Sequence, residues 1–234
     1  MTKELKTRGV NTAVQESLAK LDVDAVGVVS LAECKGTKLE ESALALLPEA
    51  RSVVVFAMEI FPEILNLTSP GRAAGQASLN DFLDRHAEYL NGRLTRAAYD
   101  VTKASHKAGL KALPLPAVGC PTDVRFLEAV ISYKHAAQAA GLGYIGRSSL
   151  LITPRFGPRV RLAACLTEVQ LEPTKIEISG TCGNCRVCIN KCPAEAITVP
   201  QGEAAYSINK FACSAFRTAS GGCSECLRLC PASK

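Results

Sequence analysis

Eight of the eleven cysteines in this 234-residue chain fall between Cys182 and Cys230, and that density leaves few ways to fold the segment. Met1 to Lys6 shows no apolar stretch of the kind that opens a secretory signal, so the chain is expected in the cytoplasm, where thiols stay reduced and clustered cysteines bind metal. The run Cys182-Gly-Asn-Cys185-Arg-Val-Cys188-Ile-Asn-Lys-Cys192-Pro193 has the spacing C-x2-C-x2-C-x3-C-P. In that spacing a tight loop brings three thiolates onto one [4Fe–4S] cubane, and the fourth departs with a helix to serve a neighbouring cluster. Cys223-Ser-Glu-Cys226-Leu-Arg-Leu-Cys230-Pro231 repeats the last three cysteines and the proline. Regular spacing would put the missing cysteine at Ser220, and Cys213 stands in for it further upstream. The crossover then assigns Cys182, Cys185, Cys188 and Cys230 to one cluster, and Cys192, Cys213, Cys223 and Cys226 to the other. Two zinc sites built from the Cys-x2-Cys pairs are the alternative, but zinc needs neither the third cysteine nor the two Cys-Pro endings.

This chemistry changes the meaning of the charge. The formal +5 counts thiols as neutral. Eight thiolates around two oxidised cores would bring it to about +1, which removes the case for a nucleic-acid surface. Trp is absent and aromatic residues make up 5%, too few for a base-stacking platform. No apolar run approaches the roughly 18 residues that span a bilayer, so no membrane partner is expected.

Upstream, residues 1–172 read as an α+β domain and 173–234 as a compact metal module. Thr12 to Gln15 has the form of a capping box opening a helix to about Leu21. Ala25–Ser30 and Ser52–Met58 read as strands, with a helix from Lys38 to Leu47 between them stopped by Pro48. The longest apolar stripe runs from Leu79 through Phe82, His86, Leu90 and Leu94 to Val101, and Gly109 ends it. Two prolines demote 112–118 to an edge strand. An alanine-rich helix is expected from about Arg125 to Ala140, followed by strands over 149–153 and 159–169. Cys34, Cys120 and Cys165 read as small buried hydrophobes or surface thiols.

Gly141-Leu142-Gly143-Tyr144-Ile145-Gly146 is a literal G-x-G-x-x-G, but its context is reversed for a dinucleotide. That fingerprint follows a strand and opens a helix; here a helical pattern precedes it and a strand follows. Gly141 reads as a helix C-cap. The other glycines offer bare backbone to a flat ligand, with donors at Arg147, Ser148 and Ser149.

With these residues in place, the chain resembles a known family. Leu46 to Val55 is similar to the LLPGARSVIV stretch of epoxyqueuosine reductases, and Ala139 to Ile152 to their RAGLGWIGKNTLLI. Pro154 to Arg161 looks like the PEFGPRVR element of reductive dehalogenases, and the double-cluster segment with its displaced Cys213 matches both groups. The resemblance implies a nitroreductase-like mixed sheet with flanking helices, followed by a bacterial-ferredoxin-like module with two [4Fe–4S] clusters. It implies a corrinoid (cobalamin) held at Gly141, Gly143, Gly146, Arg147, Ser148 and Ser149, with electrons passing from the clusters to cobalt and on to a small organic substrate. Epoxyqueuosine reductases continue past the last Cys-Pro into a segment that helps to hold tRNA; this chain stops at Lys234, so no tRNA partner is expected.

Three functions compete: a corrinoid-dependent reductase, an electron carrier or corrinoid-reducing partner of another protein, and a flavin-dependent reductase on the same fold. In epoxyqueuosine reductases an aspartate fourteen residues before the first glycine donates a proton. Here that position is Leu127, within the expected helix, and leucine cannot do so. Asp123, Tyr133 and Lys134 are the candidate catalytic replacements, the last two because reductive dehalogenases pair a tyrosine with a basic residue. No turnover of epoxyqueuosine is expected.

Overall fold

The computed structural model describes residues 11–68, 73–74, 77–174, 178 and 180–233. These form two compact units that are each discontinuous in sequence, where the sequence alone suggested one break at 172/173. The first takes in residues up to Met58, Leu90–Leu142, and the stretch from Arg161 into the linker. The second takes in Glu59–Tyr89, Gly143–Val160 and the chain from Ile178 onward.

The first unit is organised by a four-stranded sheet. Helix α1 (residues 11–18) buries Val14 and Leu18. The Gln15 carboxamide accepts from the Glu172 N–H at 3.0 Å, so it ties the linker down instead of closing a capping box. Strand β1 (Ala25–Ser30) leads through α2 (Lys38–Leu46) to β2 (Ser52–Glu59). The Thr37 hydroxyl caps α2 by accepting from Glu40 N–H. β2 is buried along nearly its whole length, as a β-branched run facing protein on both sides must be.

Chain order continues with α3 (Pro62–Leu67), a short pair β3 (Ala73–Ala74) and β4 (Ala77–Ser78), and the 28-residue α4 (Asn80–Lys107). Then come β5 (Ala112–Leu115), the hairpin β6 (Thr122–Asp123) and β7 (Glu128–Ala129), and α5 (Tyr133–Ala139). A second hairpin, β8 (Tyr144–Ile145) and β9 (Leu151–Ile152), precedes β10 (Val160–Thr167). The sheet order is β1-β2-β10-β5. β1 with β2 and β10 with β5 are antiparallel. Bonds from Arg51 N–H to the Thr167 carbonyl and from Ile60 N–H to the Arg159 carbonyl run β2 antiparallel to β10. The expected mixed sheet is therefore antiparallel throughout.

The stripe on α4 packs against β10 of this sheet. Leu90, Leu94, Ala97, Ala98 and Val101 are buried at helical spacing, each large side chain contributing about 1.5–3 kcal/mol. Thr102 and Ser105 follow on the same face. Their hydroxyls return to the Ala98 and Val101 carbonyls and meet Cys165 Sγ and Thr167 Oγ1 on β10. Cys165 is wholly buried, and burial pushes its thiol up to about 12, the inert behaviour of a small core residue. Phe82, at the start of the stripe, is 58% exposed.

The expected helix over 125–140 is the main error of local reading. Only Tyr133–Ala139 is helical, and residues 122–129 form the β6–β7 hairpin. Asp123 explains this. Its carboxylate accepts from the Arg125 N–H at 3.0 Å, closing an Asx turn, and grips the Arg125 guanidinium at 2.8 and 3.1 Å. Leu127 completes the turn with φ of 49°. Leu127, expected within that helix, lies in the hairpin turn instead.

In the second unit His86 on α4 ties down the end of β2. Its Nε2 accepts from the Phe61 N–H at 3.3 Å while the two rings lie 4.7 Å apart. Glu59, the first residue of the unit, pairs with the buried Arg159 at 2.6 Å. Burial lowers the His86 pKa, outweighing the raising effects of the Glu59 carbonyl and carboxylate. A histidine held neutral in the fold contributes stability that is present above its unfolded pKa near 6.5 and is lost as pH falls below it. Thermal midpoints should therefore fall between pH 7.5 and 5.5. H86Q should flatten that fall while lowering the neutral-pH midpoint only slightly. His135, lowered by burial and by Lys134 and Lys38, adds to the wild-type slope from the first unit.

Candidate metal centre

All eight clustered cysteines belong to the second unit, which continues through α6 (Val187–Asn190), the pair β11 (Ile197–Thr198) and β12 (Ser207–Ile208), α7 (Lys210–Ala219) and α8 (Glu225–Arg228). The first loop turns at Gly183, with the Cys185 N–H donating to the Cys182 carbonyl at 2.9 Å. α6 then lifts Cys188 out of the loop and delivers Cys192 beyond its end. The Cys192 sulfur accepts from the Ala196 N–H at 3.3 Å.

Cys213 arrives on α7, capped by the Asn209 carboxamide through the Ala212 N–H. Ser220, where regular spacing would place a cysteine, instead turns the chain. Its hydroxyl lies within hydrogen-bond reach of two carbonyls, Phe216 at 2.7 Å and Gly222 at 2.8 Å, and can donate to either. Cys226 sits on α8, whose buried Glu225 is gripped by Arg228 at 2.7 and 3.2 Å. The Thr68 hydroxyl meets that of Ser224, so α3 packs on α8.

The sulfurs fall into two neighbourhoods. Burial and then the charges of Cys182, Cys185 and Cys230 raise the Cys188 thiol; Cys230 is raised by burial and by Cys182 and Cys185. Burial also raises Cys213, with Cys192 and Cys223 adding to it and Arg217 opposing. Cys226 is pushed up to about 12 by burial, then by Cys223 and Cys213, with smaller contributions from Cys188 and Cys192. Thiolates gathered in this way repel each other, and a shared cationic core removes the repulsion. Among the described residues no three His, Cys, Asp or Glu side chains converge as ligands of one ion do. A cubane asks for something different, one thiolate on each of four irons. The donor set, its two neighbourhoods and the N–H donors to sulfur all fit two such clusters.

The other nominated residues are used differently. Gly141, with φ of 69°, caps α5. A Cβ at Gly143 would overlap the Ile152 carbonyl, and one at Gly146 would press on the Ile152 side chain and, at 3.3 Å, on Cys182 Sγ. The space these glycines leave is filled by protein. Ser148 is 5% exposed, and the Arg147 guanidinium donates to the Gly183 carbonyl at 2.7 Å. The sequence suggested a seat for a flat corrinoid or flavin here; on their Cβ sides Gly143 and Gly146 face Ile152 and Cys182 instead. Ser149, with φ of 63°, closes the turn.

Asp123, Tyr133 and Lys134 lie in the first unit. Arg125 takes both oxygens of Asp123 and holds its carboxyl below the usual range, the opposite of what a proton donor needs. The Tyr133 hydroxyl donates to the Pro116 carbonyl at 2.9 Å, and burial, then Cys120, push its pKa up. Lys134 is half-buried beside His135, whose pKa it lowers. Sequence reasoning missed the Glu59–Arg159–His86–Phe61 cluster, which joins residues up to 100 positions apart and leaves no local signal.

No protein-family model matches the chain. It is 35% identical over 151 residues to the tetrachloroethene reductive dehalogenase of Desulfitobacterium hafniense, a match covering 63% of this chain and 24% of that protein. It is 32% identical over 115 residues to the epoxyqueuosine reductase of Bacillus subtilis, covering 44% of this chain and 30% of that one. The chain thus spans between a quarter and a third of the length of these curated relatives. Among solved structures, a catabolic reductive dehalogenase in complex with 3-bromo-4-hydroxybenzoic acid superposes with a TM-score of 0.73 at 17% identity, covering 93% of this chain and 31% of that one. An epoxyqueuosine reductase with an epoxyqueuosine-modified tRNA stem loop gives 0.58 at 18% identity, covering 97% and 66%. The chain has homologues of both names, and its α+β fold is similar to theirs. These homologues are reductases. Among the described residues, no helix is long and apolar enough to cross a membrane.

Proposed function

We propose that this relative of the reductive dehalogenases and epoxyqueuosine reductases is an iron–sulfur oxidoreductase. Cys182, Cys185, Cys188 and Cys230 hold one [4Fe–4S] cluster, and Cys192, Cys213, Cys223 and Cys226 hold the second. The observation that carries this reading is the pair of cysteine runs, C-x2-C-x2-C-x3-C-P and C-x2-C-x3-C-P, brought into one unit with main-chain N–H donors to the Cys182 and Cys192 sulfurs.

When bound, the clusters supply one-electron chemistry at low potential. The chain's own groups set the conditions for it. Arg147 and Ala196 donate N–H groups to sulfur, and Arg217 brings positive charge beside Cys213. The electrons pass to a small organic substrate or to a redox partner, in keeping with the reductase relatives. A corrinoid is the acceptor that those relatives suggest. In the turn expected to hold it, Gly143 and Gly146 lie against Ile152 and Cys182. That packing favours a second reading, in which the chain delivers electrons to a corrinoid or flavin carried elsewhere.

Anaerobic reconstitution tests the first statement: about eight iron and eight sulfide per chain are expected. A preparation that takes up zinc and no sulfide would overturn it. Cobalamin added to the reduced protein then separates the two readings. Cobalamin that co-elutes with the chain supports a resident cofactor, and cobalamin that is reduced without co-eluting supports the carrier.

A further inference from the structure

The segment that resembled a cofactor seat has another occupant. The β8–β9 turn is closed by the Gly146 N–H to the Leu150 carbonyl and the Ser149 N–H to the Gly146 carbonyl, both at 2.9 Å. It presents Arg147 to the first cysteine loop in two ways. The Arg147 main-chain N–H donates to Cys182 Sγ at 3.4 Å, and its guanidinium donates to the carbonyl of the next residue, Gly183, at 2.7 Å. From the other side the Gly183 N–H donates to the Thr181 hydroxyl at 3.2 Å. Gly146 leaves just enough room for the Cys182 sulfur, and the Tyr144 ring covers Gly180, where a Cβ would collide with it. Further on, Gly157 meets the backbone of Ala232 and Ser233, two and three residues after Cys230. Residues 143–158 therefore touch the first quartet at both of its ends.

We propose that Arg147 is the positioning residue of the Cys182–Cys185 ligand loop and sets the potential of the cluster held there. The inference rests on the reading that the first quartet binds a cluster. Its physics has two parts. An N–H donated to a ligand sulfur stabilises the more negative, reduced state, and so raises the potential. A guanidinium beside the loop acts in the same direction through its charge and also holds the loop's backbone in register, with a planar fork that lysine lacks.

The test is a mediated dithionite titration of the anaerobically reconstituted protein, followed by electron paramagnetic resonance, in which each cluster accepts one electron. Wild type should show two midpoints. R147Q should move one midpoint to a more negative value and leave the other in place. R147K, which keeps the charge and loses the fork, should fall between the two. R155Q is the control: it removes a charge from the same segment, where the guanidinium lies over the Phe156 ring at 4.9 Å, and should move neither midpoint. Loss of half the iron in R147Q with the second cluster's signal intact also supports a positioning role. Should R147Q fail to fold, R147K decides.

Wild type without clusters would refute the proposed function itself. Wild type with two clusters, and midpoints unmoved in R147Q and R147K or moved equally by R155Q, would refute only the role of Arg147.

Discussion

Alanine at Cys226 should halve the iron and sulfide of the reconstituted protein, from about eight of each to about four. Cys226 is the thiol most strongly raised within the second neighbourhood, by burial first and then by Cys223, Cys213, Cys188 and Cys192. A methyl group there leaves three thiolates and one iron without a protein ligand. Serine is the poorer test because its oxygen can still ligate. The first quartet has Cys182, Cys185, Cys188 and Cys230 intact and should keep its signal. Alanine at Cys34, a partly exposed thiol after β1, should keep both clusters. Metal assays with electron paramagnetic resonance decide the matter, and a C226A protein with a full complement of iron would exclude Cys226 as a ligand.

Gly157→Ala should be the most damaging of the small substitutions. Its φ of 56° costs an L-residue about 1–2 kcal/mol. The new methyl would also overlap the Ala232 carbonyl, a backbone atom that no rotamer change can move, for about 1–3 kcal/mol more. The Thr153–Gly157 bridge holds the turn rigid, with the Gly157 N–H donating to the Thr153 carbonyl at 3.0 Å and the reverse bond at 2.8 Å. The sum, about 3 kcal/mol, corresponds to a drop in Tm of roughly 6–12 °C for a chain of this size. Gly202→Ala separates the two contributions. Gly202 has a similar φ of 60° and nothing within 4 Å of an added methyl, so only the conformational cost remains. If melting curves show G157A no worse than G202A, the contact with Ala232 has no energetic weight.

These cases show what a sequence reader can and cannot see. β2 and α4 were legible because a β-branched run and a 3.6-residue stripe are local patterns answered by local geometry. The first cysteine run is a local pattern of the same kind, and it folds as a turn at Cys182–Cys185 followed by a helix. The β6–β7 hairpin was not: one Asx turn at Asp123 and one left-handed residue at Leu127 overrode a stretch with helical composition. The glycines at 143 and 146 were visible, but their meaning was not. A missing Cβ marks a close approach without saying whether a ligand or the chain itself approaches, and here Ile152 and Cys182 do. His86 and Glu59 carried no signal, since their partners Phe61 and Arg159 are brought to them only by the fold.

α7 has a consequence of its own. It presents a marked apolar face, yet none of its ten residues is fully buried. A helix of this length is marginal in water without a surface to pack on. Under the proposed ligation, the helix that carries Cys213 borrows its persistence from the sulfur–iron bond that it would supply. Inorganic core and polypeptide would then stand in the relation of keystone and arch, each holding the other in place.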